Sequence, residues 1–131
     1  MLTALIDYES GNLHSALKAF EKISSENSLG SVTITNDPEI ISNADRLVLP
    51  GDGAFPACKA ALEKSEVFEA LKHAVLAKRR PFLGICVGMQ LMAKKGFEFE
   101  PTNGLNWING QVERIQLDDP SLKIPHMGWN L

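Results

Sequence analysis

Apolar and polar positions recur along this chain with two different periods, and each change of period marks an element. Residues 2–7 form an apolar run closed by Asp7 and predict a buried first strand. Ser10-Gly11-Asn12 is a loop with capping chemistry, and Leu13, Ala16, Leu17 and Phe20 then recur at helical spacing. Together they predict an amphipathic helix over roughly 12–23. A polar, Gly-containing turn over 27–31 precedes Ser31-Val32-Thr33-Ile34-Thr35, whose β-branched residues predict a second strand. Asp37-Pro38 reads as an N-cap followed by proline at the first helical position, opening a short helix. Residues 46–49 predict a third strand, running into Pro50-Gly51-Asp52-Gly53. Residues 57–64 read as helical. Ser65, with Glu66 behind it, starts another helix with apolar positions Val67, Phe68, Leu71, Val75 and Leu76. An apolar strand over 81–85 follows, then helical character after Cys86, and Gln111–Leu117 is strand-like.

The predicted order is β-α-β-α-β-α-α-β-α, without internal repeats or low-complexity linkers. That alternation predicts an α/β fold: doubly wound, with a mostly parallel sheet and helices on both faces. Ligands of such sheets bind beyond the carboxyl ends of the strands. Loops at 7–12, 50–55 and 86–88 all follow strand ends, so one crevice is expected to hold all three.

Composition narrows the classes. A chain of 131 residues fits one domain, and 44% hydrophobic with 22% charged residues is ordinary for a soluble globular protein. The formal net charge is −3, and the one basic cluster, Lys78-Arg79-Arg80, sits at a helix end where it complements the dipole. A nucleic-acid surface is therefore not expected. No apolar run spans a bilayer, and the N-terminus lacks the basic start of a signal peptide, so a cytoplasmic, reducing compartment is the default. There, two cysteines do not read as a disulfide framework. Cys58, on a predicted helix, reads as a small packing residue. No His/Cys spacing resembles a zinc site, and neither a metal nor a cofactor is implied.

Chemistry concentrates at Gly84-Ile85-Cys86-Val87-Gly88. A cysteine flanked at two residues by glycines, between an apolar strand and a helix, has the form of a nucleophile elbow. The strained turn calls for residues without Cβ, and a thiol at a helix start gains thiolate character. The competing reading is a buried packing cysteine. In Pro50-Gly51-Asp52-Gly53 the backbone amides suit a developing oxyanion, and an ordinary tight turn is the alternative. The Val87 N–H, just after the nucleophile, is the second donor that elbow geometry predicts. Gln90 lies one turn after Cys86 on the same face, either to pair with a polar substrate or as a solvated surface residue.

Gly84-Ile85-Cys86-Val87-Gly88-Met89-Gln90 resembles the nucleophile motif of the class I (triad) glutamine amidotransferases, and Pro50-Gly51-Asp52-Gly53 resembles their oxyanion strand. Asp7-Tyr8-Glu9-Ser10-Gly11-Asn12 and Pro125-His126-Met127-Gly128-Trp129-Asn130 are similar to segments of the members that serve imidazole glycerol phosphate synthase in histidine biosynthesis. The resemblance covers the whole chain. It implies a flavodoxin-like fold, with residues 1–131 the N-terminal portion of a single domain that is incomplete at its C-terminus. It also implies that Cys86 attacks the side-chain amide of glutamine and that ammonia passes to a (β/α)₈-barrel cyclase subunit. Backbone groups at Gly51, Asp52 and Val87 would serve the oxyanion, Gln90 and Gly53 the substrate, and Asn12, Met127 and Trp129 the partner interface. Asp52 departs from the apolar residue of many relatives, in a role that belongs to the backbone.

A cysteine amidase needs a base. The family's base is a His followed two residues later by Glu, and no His-x-Glu occurs here. His14 and His73 read as surface residues on helices, and His126 as part of the interface segment. The 131 residues alone are thus expected to be inactive, to react weakly at Cys86 with a glutamine-like ketone, and to self-associate through an unpaired sheet edge. Two other readings stand beside this one. One is a non-catalytic fragment that docks a partner. The other is a cysteine hydrolase outside amidotransfer, for which the His-Met-Gly-Trp segment has no use.

Overall fold

A computed structural model describes residues 1–125. Its elements are β1 (Leu2–Ile6), α1 (Leu13–Asn27), β2 (Ser31–Thr35), α2 (Pro38–Asn43), β3 (Arg46–Leu49), α3 (Phe55–Lys64), α4 (Phe68–Lys72), β4 (Phe82–Gly84), α5 (Val87–Gln90), β5 (Ala93–Gly96), β6 (Thr102–Asn103) and β7 (Ile108–Val112). The first four strands form one parallel sheet in the order β2-β1-β3-β4, with Leu2 opposite Ser31, Thr3 opposite Arg46 and Leu47 opposite Phe82. The chain moves outward from β1 to β2 and returns across β1 to β3. The carboxyl ends of β1 and β3 therefore flank the switch point at which such sheets place ligands.

Strand alternation sorts the core. Ala4, Ile6, Leu47 and Leu49 join Ile41 of α2, Leu62 of α3 and Leu71 of α4 in one buried cluster. On the opposite face, Thr3, Val48 and Leu83 look towards Phe20 and Ile23 of α1 across an apolar groove of about 280 Å³. Helices thus lie on both faces, which is why β1 and β3 carry nearly continuous apolar runs. Asp37 caps α2 as its sequence predicts, its Oδ1 accepting from Glu39 N at 2.8 Å ahead of Pro38.

Several elements depart from the sequence pattern. The first helix runs four residues past 23, and ends where Ser28 takes a left-handed conformation (φ 54°). The helix from α4 continues into a π-helical turn, His73–Ala77. That wider turn rotates the apolar face, so Ala74 is fully buried while Leu76 is 52% exposed. Lys78 donates to Ser42 O at 2.7 Å, and Arg80 lies 3.7 Å from Asp45, so two of the three basic residues tie this helix end to the region of α2.

The largest departure is a second sheet, in the order β6-β5-β7. β5 pairs antiparallel with β6 and, through a register irregularity between Ala93 and Lys95, parallel with β7. The helical character expected after Cys86 lasts only to Gln90, and the strand expected over 111–117 lies instead at Ile108–Val112. Ala93-Lys94-Lys95-Gly96 has no apolar alternation, and its strand conformation comes from partners elsewhere in the chain.

Candidate active site

Cys86 is solvent-exposed and has φ 55° and ψ −120°, a backbone conformation that costs an L residue of order 1–3 kcal/mol. Both flanking glycines are required by close approach rather than by their own dihedrals. A Cβ on Gly84 would meet the backbone of Gly88 and Met89 at 2.5–2.7 Å, and one on Gly88 would sit 1.9 Å from Leu49 O. The turn is tied to β3 by Ile85 N donating to Leu49 O at 3.0 Å, and closed by Met89 N and Gln90 N donating to Cys86 O. Val87, buried, is the first residue of α5, so its N–H has no acceptor within the helix.

The three loops expected to share a crevice meet. A Cβ on Gly51 would lie 2.5 Å from Gly88 N, which presses the Pro50–Gly53 loop against the elbow. A Cβ on Gly11 would lie 2.9 Å from Pro50 Cβ, which brings in the loop after β1. Gly53 (φ +117°), Val87 and Gln90 line one cleft of about 640 Å³ together with Phe97, Glu98 and Arg114. That volume suits a small molecule.

Asn12 is exposed and caps α1, accepting from Ser15 N at 3.2 Å. His14 and His73 are exposed. Met127 and Trp129, assigned by resemblance to a partner interface, lie outside the described residues, as does His126.

Four residues around the site escaped the sequence reading. Tyr8, 2% exposed, donates its hydroxyl to Pro50 O at 2.8 Å. Ser10 Oγ donates to Asp52 O at 3.0 Å and accepts from Asp52 N at 3.2 Å. Cys58 packs in the buried core as its sequence predicts, and its Sγ also lies 3.2 Å from Ser10 Oγ and 3.5 Å from Asp52 O, contacts that the sequence did not announce. Glu98 Oε2 accepts from Phe55 N at 2.7 Å across 43 residues, and so caps α3 from the cleft wall. A tyrosine two residues past the first strand is the only local signal for any of these, since the other contacts arise between distant loops.

Burial pushes the Tyr8 phenol up to about 12. An unfolded tyrosine ionises near 10, so the stabilisation is complete below pH 10 and is lost as pH rises from there towards 12. By pH 11.5 the native protein should have lost about 2 kcal/mol from this group. Urea unfolding at pH 9 and pH 11.5 checks it against Tyr8→Phe. The parent should lose more stability over that interval than the variant, and equal losses would count against a neutral buried phenol.

Among the described residues no cluster of three His, Cys, Asp or Glu side chains is placed to hold a metal ion, and no helix is long and apolar enough to cross a membrane.

Comparison with known proteins agrees with this geometry. The glutamine amidotransferase class-I family model matches residues 4–131. The chain is 59% identical over 131 residues to the imidazole glycerol phosphate synthase subunit HisH of Ruegeria pomeroyi, covering 99% of this chain and 62% of that protein. The corresponding subunit of Cereibacter sphaeroides is 56% identical with the same coverage, and that of Caulobacter vibrioides 52% over 128 residues, covering 97% of this chain and 60% of that protein. The chain thus spans about three fifths of the length of the curated relatives it matches. A strained cysteine elbow against a glycine loop at the switch point of a parallel sheet, joined to a family match over nearly every residue, leads to one assignment: the chain belongs to the class-I glutamine amidotransferases.

Proposed function

We propose that the protein is the glutaminase subunit of imidazole glycerol phosphate synthase and that Cys86 is its nucleophile. The observation that carries this is the close approach of Gly51 to Val87 and Gly88, the two residues that follow exposed Cys86, beside a cleft of small-molecule size that Gly53, Val87 and Gln90 line. In this mechanism Cys86 Sγ bonds to the side-chain amide carbon of glutamine, and the carbonyl electrons move onto oxygen. The backbone N–H of Val87 and amides of the Gly51–Asp52 segment hold that oxyanion, each donor being worth about 3 kcal/mol in the transition state. Collapse expels ammonia, protonated by the base that took the thiol proton, and leaves a thioester. Water then releases glutamate and restores the thiol. The base is the family's His of a His-x-Glu pair.

The cleft suits the rest of the substrate. Gln90 reaches it from α5, and Glu98, Glu113 and Arg114 give it two anionic side chains and one cationic one, which suit the ammonium and carboxylate of a free amino acid. Ammonia passes to a (β/α)₈-barrel cyclase for histidine biosynthesis, a partner drawn from the named relatives and the resemblance of Asn12, Met127 and Trp129. The compartment is the cytoplasm.

A chloro-ketone analogue of glutamine tests the reading in the full-length subunit assembled with the cyclase. One equivalent should attach to Cys86 by mass spectrometry, and glutamine should slow the attachment. Cys58, 3% exposed, should stay unlabelled. Label on Cys58, or labelling indifferent to glutamine, would overturn the assignment.

A further inference from the structure

We propose that Phe99 is a specificity residue for the amino-acid end of the substrate, its ring covering the α-ammonium of glutamine where Glu98 receives it. The inference rests on the glutaminase reading above.

Phe99 sits where neither conformation nor burial favours it. Its φ is 61°, a left-handed value that is a genuine outlier for a bulky side chain. Glu100 N donates to Glu98 O at 2.7 Å, so Phe99 is the central residue of a three-residue turn whose positive-φ form is rare and strained. At 88% exposure it is also the most exposed large apolar side chain among the described residues. The folded chain thus bears backbone strain to present an aromatic ring to solvent. Strain of this kind at the edge of a cleft points to a ligand.

The turn is fixed at its base. Gly96 pairs with Thr102 across β5 and β6, and Phe97 N donates to Val112 O at 2.9 Å. Glu98 Oε2 accepts from Phe55 N at 2.7 Å, which holds the carboxylate at the cleft wall and leaves further lone pairs for an ammonium. Phe97, Glu98 and Phe99 all line the cleft of about 640 Å³. The Phe97 ring already faces a cation, with Lys95 Nζ 5.3 Å from its centroid. Phe99 directly follows the carboxylate on the solvent side. A ring there meets the bound ammonium with its negative face, and by excluding water it strengthens the ion pair beneath.

The test uses the full-length subunit assembled with the cyclase. A cation–π contact corresponds to about a two- to thirtyfold change in affinity, so Phe99→Ala should raise KM for glutamine by that factor with kcat little altered. Phe99→Tyr keeps the ring face and should behave as the parent. Phe99→Leu keeps apolar cover without that face and should lie near Phe99→Ala. Phe99→Gly removes the strain, so its urea midpoint should rise while its KM rises too. In a Cys86→Ala background, which binds glutamine without turnover, Phe99→Trp should add an emission component that shifts to the blue when glutamine is added. An unchanged KM in Phe99→Ala, a leucine variant equal to the parent, a lower urea midpoint in Phe99→Gly or a silent tryptophan would overturn the role. So would weaker binding of the cyclase in place of the KM change, which would assign the ring to the partner. A parent complex that leaves glutamine intact would refute the glutaminase reading and this role with it, whereas an active parent matched by Phe99→Ala would refute the role alone.

Discussion

Replacing Cys86 with serine should lower glutamine hydrolysis by at least about a thousandfold while leaving the fold intact. The expectation separates chemistry from conformation. Serine is nearly isosteric, so the cleft formed by Gly53, Val87 and Gln90 should survive and KM should move little. In the proposed mechanism the attacking atom changes character: sulfur attacks as a thiolate, whereas a serine hydroxyl needs full proton abstraction during attack. Thermal stability should not improve, because serine at φ 55° carries the same strain as cysteine. Cys86→Gly should abolish turnover equally and stabilise the protein by about 1 kcal/mol, because glycine accepts that φ freely. Steady-state kinetics and urea unfolding on the three proteins decide the matter. More than a tenth of parental turnover in Cys86→Ser would remove Cys86 from the mechanism.

Phe55→Ala should cost about 3–5 kcal/mol, a large part of the 5–15 kcal/mol typical of a whole domain. Phe55 is fully buried at the start of α3 and belongs to the main core. Its ring also lies against Gly96 of β5, where an added Cβ would fall 2.8 Å from three ring carbons. One side chain thus joins the large parallel sheet's core to the smaller sheet. Removing it leaves a cavity between them and loosens the turn that carries Glu98. The loss should therefore appear twice: as a lower urea midpoint with unchanged slope, and as faster hydrogen exchange across Ala93–Gly96. A cost below about 1 kcal/mol would mean that the two parts do not pack through this ring.

How much of this was legible beforehand depends on the range of the forces involved. A helix is made of contacts three and four residues apart, so Leu13, Ala16, Leu17 and Phe20 announce theirs. A strand buried on both faces shows as an apolar run, and β1 to β4 all lie within the predicted spans. The elbow was equally open to reading, because its glycines answer a local steric demand. The first three residues of β7 and all of β5 were not legible. Ala93-Lys94-Lys95-Gly96 is extended because Ile108–Val112 and Thr102–Asn103 supply its hydrogen bonds, and nothing in those four residues says so. The π-helical turn at His73–Ala77 was hidden too, since one widened turn shifts which apolar residue faces inward without altering composition.

The site divides along the same line. By itself the sequence determined the family, the order of the parallel strands' elements, and the placing of Cys86 between Gly84 and Gly88, all of which follow from short-range sterics and periodicity. Tertiary structure alone decided that Gly51 presses against Gly88 and that Tyr8 anchors Pro50 across 42 residues. It also decided that Glu98 caps a helix 43 residues earlier and that the Asp52 N–H points at Ser10. These are contacts between loops whose ends are fixed by a sheet, and a hydrogen bond between loops depends on where the sheet delivers them, a quantity that no local pattern of residues encodes.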